Sequence, residues 1–466
     1  MTNAINDLKT DVCILGGGPA GYVAAILAAR LGASVVLVEK EHIGGTCLNW
    51  GCIPTKALLK TAETLETIKK SSEFGVDASV SSVKIASAVA RKDRIVKSLK
   101  MGLEYLLDTP NITIIKGEGK IESPNKINAK TDTDSFAISC GKLIITAGSK
   151  TLIPTLPGFN LDGVITSNEA INLTEIPASM TIIGAGAIGL EFATLFSAMG
   201  TKITVVELQD RILPQEDLEI TAELLKIMKR QGIKFKLGAK VKEIKNDDVE
   251  LATVIEENGI EAEIISEKVL VAIGRELNLT PDIMALGLKM DGKAIAVNEF
   301  METSVPNVYA AGDVVGGKLL AHLAFAEGKA AAENACGGRT KINYNAVPSC
   351  VYTHPEVASV GLTEANAVAE GYTVKVGRFD FRNNGRALCQ GSRDGFAKVV
   401  VDEESGIILG AQILGAQASE LISEVTLAVT LKAKAEILAE MIHPHPTLSE
   451  AIMEACGDAV GKAIHK

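Results

Sequence analysis

Two cysteines five positions apart are the residues of this 466-residue chain that are best suited to chemistry. Cys47 and Cys52 lie in the segment GGTCLNWGCIPTK, residues 44–56. A regular helix would hold their Cα atoms roughly 8–9 Å apart, whereas a disulfide needs about 4.4–6.8 Å. A bonded pair therefore requires an interrupted helix, for which Gly51 supplies backbone freedom, and Pro54 suits the first turn of a helix. Such a disulfide would be reducible rather than structural, because closing so few residues constrains the unfolded chain little.

A glycine pattern that occurs twice indicates two nucleotide-binding units. Each copy has an apolar run, the spacing G-x-G-x-x-G, a helical stretch and a second apolar run that ends in a glutamate 23 residues after the first glycine. The residues are Gly16, Gly18, Gly21 and Glu39 in the first copy, and Gly184, Gly186, Gly189 and Glu207 in the second. The glycines permit a tight turn, the approach of a pyrophosphate to a helix N-terminus and helix–strand packing, and the glutamate accepts hydrogen bonds from a ribose. Two dinucleotide sites in one chain suggest two cofactors that exchange electrons.

The remaining apolar runs predict the sheets that position these residues. Runs at 142–149 and 268–275 each follow one glycine pattern at a similar distance, as if completing a nucleotide-binding sheet, and a run at 308–313 ends in an acid. The C-terminal part predicts strands at 396–401 and 407–414 and helices at 420–432 and 435–441. We therefore expect an α/β protein with two Rossmann-like domains and a C-terminal α+β domain.

The composition is that of a globular protein whose overall charge disfavours polyanions as partners and leaves a local basic patch open. The formal net charge of −10 argues against nucleic acid or an acidic membrane surface as a partner. The apolar run at 24–38 is interrupted by Arg30 and is too short to span a bilayer, and the polar stretch at 1–11 lacks the apolar core of a signal peptide. The six other cysteines are scattered, with neither metal-binding spacing nor that of a secreted disulfide framework. We expect a cytoplasmic protein without a bound metal.

The segment at 44–56 resembles the redox-active disulfide motif of the class I pyridine nucleotide–disulfide oxidoreductases, and the resemblance covers essentially the whole chain in motif order and spacing. Trp50 departs from the pattern, since many relatives carry valine there, and we expect it to alter packing rather than chemistry. The resemblance implies FAD at the first glycine pattern, NAD at the second, and a homodimer. It divides the chain into an FAD-binding domain at 1–150, an NAD-binding domain at 151–276, a segment at 277–346 that completes the FAD-binding domain, and a dimerisation domain at 347–466.

A histidine–proline segment near the C-terminus can supply an acid–base group. His443 and His445 lie in HPHPTLSE, in which Glu450 follows His445 by five residues. A carboxylate on one imidazole nitrogen sets the tautomer and raises the basicity of the other nitrogen. By resemblance to the HPT…E motif of the family, His445 is the base, supplied by the other subunit, and Glu450 orients it. His443 is the competing candidate; only His445 stands directly before Pro-Thr and five residues from the acid.

Further residues match family positions that contact the cofactors. For the flavin nucleotide these are Lys40, Gly45, Thr46, Gly119, Gly148, Asp313 and Ala321. Gly274 and Arg275 match contacts of the nicotinamide nucleotide, and Lys56 and Glu191 match an ion pair near the reactive flavin nitrogen. Glu207 favours NAD over NADP, because a carboxylate accepts a hydrogen bond from a free ribose 2′-hydroxyl and repels a 2′-phosphate. The arginine nearest after Glu207 is Arg211, which follows an aspartate.

Both reactive motifs are closest in form to the family members that oxidise dihydrolipoamide. By that resemblance, a substrate thiolate attacks Cys47 in the disulfide, lipoamide leaves, Cys52 returns the electrons to FAD, and NAD⁺ is reduced. The partners would be dihydrolipoyl domains of 2-oxoacid dehydrogenase or glycine cleavage complexes. The sequence leaves open which of these complexes is served.

Other activities within the family are disfavoured by particular residues. Members that reduce glutathione with NADPH need basic residues after the second strand of the nicotinamide site, and these are missing. Members that reduce mercuric ions need a vicinal cysteine pair at the tail, where only Cys456 occurs. A soluble transhydrogenase would lack the thiol pair. A non-catalytic subunit held by a multienzyme core stays open, since that role can coexist with catalysis.

Overall fold

The computed structural model describes residues 5–248 and 250–466, so that the first four residues of the polar N-terminal stretch lie outside it. The chain divides into two compact units. One consists of the chain up to Ala57 with Val89–Leu152 and Arg275–Ile342, and the other of Leu58–Ala88, Ile153–Gly274 and Asn343–Lys466. The division into four segments expected from the sequence stays a prediction.

The first unit is built on a seven-stranded sheet. Its strands are β1 (Ile5–Leu15), β2 (Val35–Glu39), β3 (Ile112–Lys116), β4 (Glu118–Ser123), β5 (Lys126–Lys130), β6 (Ser135–Ile145) and β19 (Val308–Ala310). They lie in the order β3-β2-β1-β6-β5-β4, with β19 beside β6. The pairs that join β3, β2, β1, β6 and β19 are parallel, and β4, β5 and β6 form antiparallel pairs. Two short pairs complete the unit: β7 (Ser149–Thr151) with β16 (Arg275–Leu277), and β17 (Met290–Asp291) with β18 (Ala294–Ile295).

Both faces of this sheet are buried, which explains why its central strands are continuously apolar. Val35 and Leu37 of β2 belong to one buried cluster, whereas Val36 and Val38 belong to another. Successive side chains of a strand point to opposite faces, so these two clusters are the two sides of the sheet. The sheet therefore gives a rigid platform for the loops at the carboxyl ends of its strands.

The second unit contains a second parallel sheet. Its strands are β8 (Val164–Ile165), β9 (Ser179–Ile183), β10 (Lys202–Glu207), β11 (Lys234–Leu237) and β15 (Lys268–Val271), in the order β11-β10-β9-β15-β8. A three-stranded antiparallel sheet accompanies it, made of β12 (Ala239–Asp247), β13 (Glu250–Glu257) and β14 (Ile260–Ser266). The parallel order repeats the arrangement of the first unit, as the doubled glycine pattern predicts.

The C-terminal part of the second unit is an antiparallel sheet covered by helices. Its strands are β20 (Ser349–Val351), β21 (Glu356–Gly361), β22 (Val374–Asp380), β23 (Phe396–Asp402) and β24 (Ile408–Gly415), in the order β20-β21-β24-β23-β22. Val399, Ile413, Ile422 and Ile452 share one buried cluster, which joins this sheet to the helices that follow it. This confirms the expected C-terminal α+β part.

Helices connect the strands of these sheets or follow them along the chain. They are α1 (Pro19–Arg30), α2 (Gly45–Asn49), α3 (Cys52–Lys69), α4 (Ile85–Leu107), α5 (Ser167–Ala170), α6 (Ala187–Ala198), α7 (Leu218–Arg230), α8 (Pro281–Ala285), α9 (Ala321–Ala335), α10 (Glu364–Ala369), α11 (Gly385–Cys389), α12 (Ala418–Thr430), α13 (Ala435–Glu440) and α14 (Glu450–Ala459). Within the described residues, none of them is long and apolar enough to cross a membrane.

The predicted secondary structure around both glycine patterns is confirmed. β1 and β2 flank α1, and β9 and β10 flank α6, so each pattern lies in a strand–turn–helix–strand unit. β6 and β15, which correspond to the runs at 142–149 and 268–275, pair with β1 and β9 respectively. The fold is therefore α/β with two Rossmann-like sheets, as expected.

Candidate active site

The thiol segment folds as two helices with a break between them. α2 ends at Asn49 and α3 begins at Cys52, so that Trp50 and Gly51 separate the two helices. This break confirms the interruption that the cysteine spacing predicts. The backbone of Gly51 is not left-handed; a Cβ there would lie 3.1 Å from the carbonyl oxygen of Thr46. Glycine is therefore favoured at this position because a side chain would crowd the Thr46 carbonyl oxygen, and not because the backbone has an unusual φ.

The two cysteines are free thiols whose side chains share a hydrogen bond. The hydrogen bond to Cys52, and then burial, hold the pKa of Cys47 well above its usual range, while the charge of Lys56 acts in the opposite direction. The proton of Cys47 is therefore held in the hydrogen bond between the two sulfurs. This arrangement is that of the reduced pair, and the Cys47–Cys52 disulfide stays a prediction.

The first glycine pattern forms the turn between β1 and α1. Gly16 has φ 108°, and a Cβ there would lie 2.3 Å from the Thr146 carbonyl oxygen. A Cβ on Gly21 would lie 1.8 Å from the Gly16 carbonyl oxygen. Either side chain would collide with backbone, which explains glycine at both positions. For Gly18, the nearest atom to such a Cβ is the Cα of Gly45 at 3.9 Å, so the second glycine borders open space.

The second glycine pattern, between β9 and α6, has the same geometry. Gly184 has φ 106°, and a Cβ there would lie 2.4 Å from the Ala272 carbonyl oxygen. A Cβ on Gly189 would lie 2.0 Å from the Gly184 carbonyl oxygen, whereas Gly186 has nothing within 4 Å of such an atom. The two units therefore offer the same turn and the same open space.

Both turns present a helix N-terminus to that space. Gly18 and Gly186 are the N-cap residues of α1 and α6, and glycine carries no side chain that could bond the first amides. Unpaired N–H groups and the helix dipole at this end attract phosphate. A Cβ on Gly18 or Gly186 would occupy part of the open volume beside these helix ends. The residues of both turns therefore fit the pyrophosphate of a dinucleotide.

The glutamate at the end of β2 is fixed by two backbone donors. Glu39 accepts a hydrogen bond from the Gly17 N–H at 2.6 Å and another from the Glu41 N–H at 2.7 Å. Gly17 directly follows Gly16, the first glycine of the pattern, and Glu41 lies two residues after Glu39. Each carboxylate oxygen has a second lone pair, so the oriented side chain can still accept hydrogen bonds from a ribose diol.

Glu207 at the end of β10 is held in the same way. It accepts hydrogen bonds from the Ala185 N–H at 2.7 Å and from the Gln209 N–H at 2.8 Å. Arg211, the nearest arginine after it, donates to the carbonyl oxygen of Pro214. Glu207 is therefore an oriented carboxylate that can bind a ribose. The guanidinium of Arg211 is bonded within its own loop, to Pro214.

Arg275 lies in a polar cluster of the first unit. Its Nε donates to the Ser149 hydroxyl at 2.7 Å, and its Nη2 donates to the Ser149 carbonyl oxygen at 2.6 Å and to Thr46 Oγ1 at 3.2 Å. Nε is 3.9 Å from an Asp313 carboxylate oxygen, to which the Ser149 hydroxyl also donates. We expected Thr46 and Asp313 at the flavin nucleotide but Arg275 at the nicotinamide nucleotide. All three assignments stay predictions; the pairing of β16 with β7 brings Arg275 opposite Thr151.

Three further glycines expected at the cofactors have clear backbone roles. Gly45 has φ 56°, and a Cβ on it would lie 2.7 Å from the Cα of Gly18, so the thiol segment packs directly against the first glycine turn. Gly148 and Gly274 have φ 69° and 131°, with nothing within 4 Å of an added Cβ. All three conformations favour glycine.

The other expected residues lie on regular elements. A Cβ on Gly119, in β4, would lie 2.6 Å from the side chain of a leucine in β1, so this glycine permits close strand packing. Lys40 follows β2 and is exposed, 4.0 Å from Glu41. Ala321 is the first residue of α9, and Lys56 lies in α3. The carboxylate of Glu191, in α6, accepts a hydrogen bond from the Tyr352 N–H at 3.0 Å.

The two histidines of the C-terminal segment have different surroundings. The His443 side chain is 2% exposed; its Nε2 is 2.8 Å from a Glu424 oxygen and its Nδ1 is 2.9 Å from the Met441 carbonyl oxygen. The His445 side chain is 79% exposed, and its Nδ1 is 2.8 Å from a Glu450 oxygen. Both nitrogens of His443 are therefore engaged, whereas Nε2 of His445 faces outward. Of the two, only His445 can reach a substrate proton.

Glu450 is itself held in place and in its ionised form. Its second oxygen accepts a hydrogen bond from the Thr447 N–H at 2.8 Å. Burial raises the pKa of Glu450, but the hydrogen bonds from Thr447 and His445 outweigh burial, so the pKa of Glu450 lies below its usual range. An ionised carboxylate on Nδ1 keeps the proton of neutral imidazole on that nitrogen and leaves Nε2 as the base.

Four polar residues that support these sites were missed by sequence reasoning. Thr146 and Ser149 lie in the run at 142–149, which was noted only as a strand; the Thr146 hydroxyl donates to the Gly16 carbonyl oxygen at 2.8 Å. Glu327, which accepts from the Gly312 N–H at 2.7 Å, and Glu424, which pairs with His443, lie on helices without a recognisable motif. Within residues 5–248 and 250–466, no group of His, Cys, Asp or Glu side chains is arranged to hold a metal ion.

Comparison with known families covers most of the chain. Residues 10–328 match the family described as pyridine nucleotide-disulphide oxidoreductase. Residues 347–456 match the dimerisation domain of the pyridine nucleotide-disulphide oxidoreductases.

Curated relatives are similar along their full length. A protein of Bacillus subtilis (strain 168) named dihydrolipoyl dehydrogenase is 42% identical, over 98% of this chain and 99% of the relative. A protein of the same name from Halobacterium salinarum is also 42% identical, over 98% of this chain and 97% of the relative. Among solved structures, a Cu(II) complex of an HOCl-induced flavoprotein disulfide reductase from Escherichia coli aligns with a TM-score of 0.87 at 28% identity, over 96% of this chain and 99% of that one.

Proposed function

Because the chain belongs to the pyridine nucleotide-disulphide oxidoreductase family, we propose that it is a dihydrolipoyl dehydrogenase, which oxidises protein-bound dihydrolipoamide to lipoamide and reduces NAD⁺. The observation that carries the proposal is the Cys47–Cys52 pair beside the first nucleotide-binding turn. There a Cβ on Gly45 would lie 2.7 Å from the Cα of Gly18. Full-length relatives of that name, at 42% identity, support it.

The cofactors are FAD and NAD. The first glycine turn and Glu39 would hold the pyrophosphate and a ribose of FAD, and the second turn and Glu207 would hold those of NAD. FAD, when bound, supplies the two-electron carrier between the thiol pair and NAD⁺. The protein contributes the position of the thiols and the proton transfers.

The thiol pair exchanges disulfide bonds with the substrate. His445 takes the proton of one dihydrolipoamide thiol, and that sulfur attacks Cys47. The Cys47–Cys52 bond breaks, Cys52 leaves as thiolate, and a mixed disulfide joins the substrate to Cys47. The second substrate thiol loses its proton to solvent and attacks the first substrate sulfur, so lipoamide closes. Cys47 leaves and takes the proton from His445, and two electrons now reside on the thiol pair.

His445 acts on the thiol pair of the other subunit in a homodimer. The match of residues 347–456 to a dimerisation domain supports this assembly. Large apolar side chains on and just after α12, on α13 and directly before His443 are exposed in the single chain, namely Leu427, Leu431, Ile437 and Ile442. A second copy that covers this apolar face would remove it from water.

The substrate dithiol is carried by the lipoyl domains of a multienzyme complex, either a 2-oxoacid dehydrogenase or the glycine cleavage system. The names of the relatives support this substrate. We place the enzyme in the cytoplasm, which the scattered cysteines support, because reduced thiols without structural pairing are typical of that compartment.

The proposed function is tested by comparing two electron donors and two disulfides. The holoenzyme should turn over fastest with NADH and lipoamide among the four combinations of NADH or NADPH with lipoamide or oxidised glutathione. Faster turnover with NADPH and glutathione would overturn the specificity that we propose. Initial rates at matched substrate concentrations provide the measurement.

The choice of nicotinamide nucleotide depends on Glu207. The Glu207→Gln variant should raise the KM for NADH roughly tenfold to hundredfold, because hydrogen bonds to a charged group contribute about 1.5–3 kcal/mol. The KM for NADPH should change less, so the ratio of the two constants should fall.

Glu39 provides the matched control for this variant, since backbone donors at equivalent positions hold its carboxylate. Glu39→Gln should weaken flavin retention during gel filtration and leave the preference for NADH over NADPH intact. An unchanged ratio of KM values in Glu207→Gln would remove Glu207 from nucleotide selection.

A further inference from the structure

A buried lysine of the C-terminal sheet is surrounded by carboxylates. The side chain of Lys398, in β23, is only 4% exposed. Its Nζ lies 3.2 Å from an oxygen of Asp217, 3.3 Å from one of Glu219 and 2.9 Å from one of Glu364. A buried ammonium group requires opposite charges that compensate it. Lys398 and the three carboxylates therefore form one ionic group, which we call the Lys398 cluster.

A second cation lies beside this cluster. Arg378 of β22 is directly opposite Lys398 in the antiparallel pair β22–β23. Like charges at such positions repel each other. Glu219 offsets the repulsion, because one of its oxygens pairs with Arg378 and the other with Lys398. Since Glu219 belongs to the first turn of α7, the two cations of the sheet attract this end of the helix.

Asp217 links Lys398 to the backbone of the same helix end. It is the N-cap residue of α7, and its Oδ1 accepts hydrogen bonds from the N–H groups of Glu219 at 2.9 Å and Ile220 at 3.4 Å. Its Oδ2 accepts a hydrogen bond from Lys398 Nζ. Lys398 therefore orients the carboxylate that caps α7, and the start of this helix depends on a charge in β23.

The loop that ends at Asp217 lies against the second nucleotide-binding turn. It begins after Glu207, at the end of β10. The Leu213 N–H donates to the carbonyl oxygen of Ala185, a residue of that turn, at 3.0 Å, and the Leu213 carbonyl oxygen accepts from the Glu216 N–H at 2.9 Å. Leu213 has φ 43°, a left-handed conformation that its surroundings must enforce. The loop is therefore held by the turn in its middle and by the capped helix at its end.

We propose that Lys398 is a positioning residue for the nicotinamide nucleotide, which acts through Asp217 on the loop at 208–217 and through this loop on the second glycine turn. The inference rests on the proposed function, in which that turn and Glu207 hold NAD, and it adds a determinant from a different sheet. Without the lysine charge the loop loses its fixed end, so the turn is less well preorganised for the nucleotide.

The first measurement is amide hydrogen exchange of the holoenzyme, read by mass spectrometry of peptides. Lys398→Met leaves the carboxylate of Asp217 without its cation and close to two other acids. Peptides that cover 208–220 should therefore exchange on the order of tenfold faster than in the wild type, because exchange reports local opening. Peptides of the thiol segment at 44–56 should exchange at the wild-type rate.

The second measurement is the KM for NADH with a one-electron dye as acceptor, so that lipoamide takes no part. In Lys398→Met this KM should rise roughly two- to thirtyfold, the range typical of substitutions in networks that couple distant positions. The kcat should fall much less, because the thiol pair and His445 are unchanged. Lys398→Arg keeps the charge and should return both the exchange rate and the KM most of the way to wild-type values.

Two further variants separate positioning from stability. Val399 follows Lys398 in β23 and belongs to the buried apolar cluster of this sheet. Val399→Ala leaves a cavity and should lower the melting temperature, with the KM for NADH and the exchange of 208–220 unchanged. If Lys398→Met does not fold or retain flavin, Asp217→Asn carries the test. Asparagine still caps a helix but lacks the charge that faces Lys398, so this variant should raise the KM in the same direction.

The opposite outcomes overturn the proposal. A folded Lys398→Met enzyme with wild-type exchange at 208–220 and a wild-type KM for NADH would limit Lys398 to a structural role. Equal changes in Val399→Ala would show a general loosening of the fold instead of an effect of the charge. A wild-type enzyme that does not turn over lipoamide, with variants that still change NADH binding as expected, would contradict the proposed function and leave the role of Lys398 intact.

Discussion

The Cys47→Ser variant is expected to reduce lipoamide on the order of 10⁴-fold or more slowly than the wild type, because a hydroxyl cannot form the mixed disulfide on which the exchange depends. Cys52→Ser is expected to lose turnover to a similar extent, since the redox pair then has only one sulfur. The measurement is steady-state oxidation of NADH with lipoamide as acceptor.

The two variants should differ in what they trap. In Cys52→Ser, Cys47 keeps its sulfur and should hold an added disulfide compound as a stable mixed disulfide, detectable by mass spectrometry. Cys47→Ser should not trap the compound at the equivalent position. Transfer of electrons from NADH to a one-electron dye does not need the thiol pair and should persist in both, which shows that fold and cofactors are intact.

A matched control is available on the surface. Cys389 is exposed and lies in α11, outside the thiol segment. Cys389→Ser should therefore turn over lipoamide at the wild-type rate. Wild-type turnover in Cys47→Ser itself would remove the thiol pair from the mechanism.

The His445→Gln variant is expected to lower kcat for lipoamide by about 10²–10⁴-fold, the usual contribution of a positioned acid–base group. Its imidazole is the group with a carboxylate on Nδ1 and an outward Nε2. Glu450→Gln should lower kcat less, because the imidazole remains but loses the charge that orients and activates it. The control is His443→Gln, which keeps both His445 and Glu450. Any loss of kcat in this variant reflects a loss of stability and not the loss of the base.

The origin of the base can be tested with mixed dimers. Unfolding and refolding equal amounts of Cys47→Ser and His445→Gln enzyme makes hybrids as half of the dimers, if the subunits reassort at random. If His445 serves the thiol pair of the other subunit, each hybrid has one complete site, so the mixture should recover about a quarter of wild-type activity.

A base that acted within its own subunit would give the opposite result. Every site of the hybrid would then lack either the thiol or the imidazole, and mixing would recover nothing. The oligomeric state, measured by light scattering before and after mixing, shows whether hybrids have formed. Recovery of activity without dimers would exclude the homodimer itself.

The sequence by itself determined the parts of this protein that depend on local geometry. A separation of five positions between Cys47 and Cys52 is too long for a disulfide on a regular helix, and the chain does break at Trp50 and Gly51. The doubled glycine pattern predicted two turns in which a Cβ would strike neighbouring backbone, as at Gly16 and Gly184. Both inferences need only the dimensions of the backbone and neighbours in sequence, so one sequence suffices for them.

The tertiary structure alone decided which side chains surround the reactive groups. The sequence favoured His445 by its distance from Glu450, but only the structure shows that His443 is buried and bonded to Glu424, 19 residues before it, while His445 is accessible. Arg275 donates to Thr46, which is 229 residues away in the sequence. Such contacts follow from how strands pair and helices pack over long separations. No local spacing encodes those contacts, and for this reason the surroundings of Thr46 and His443 became visible only in the folded chain.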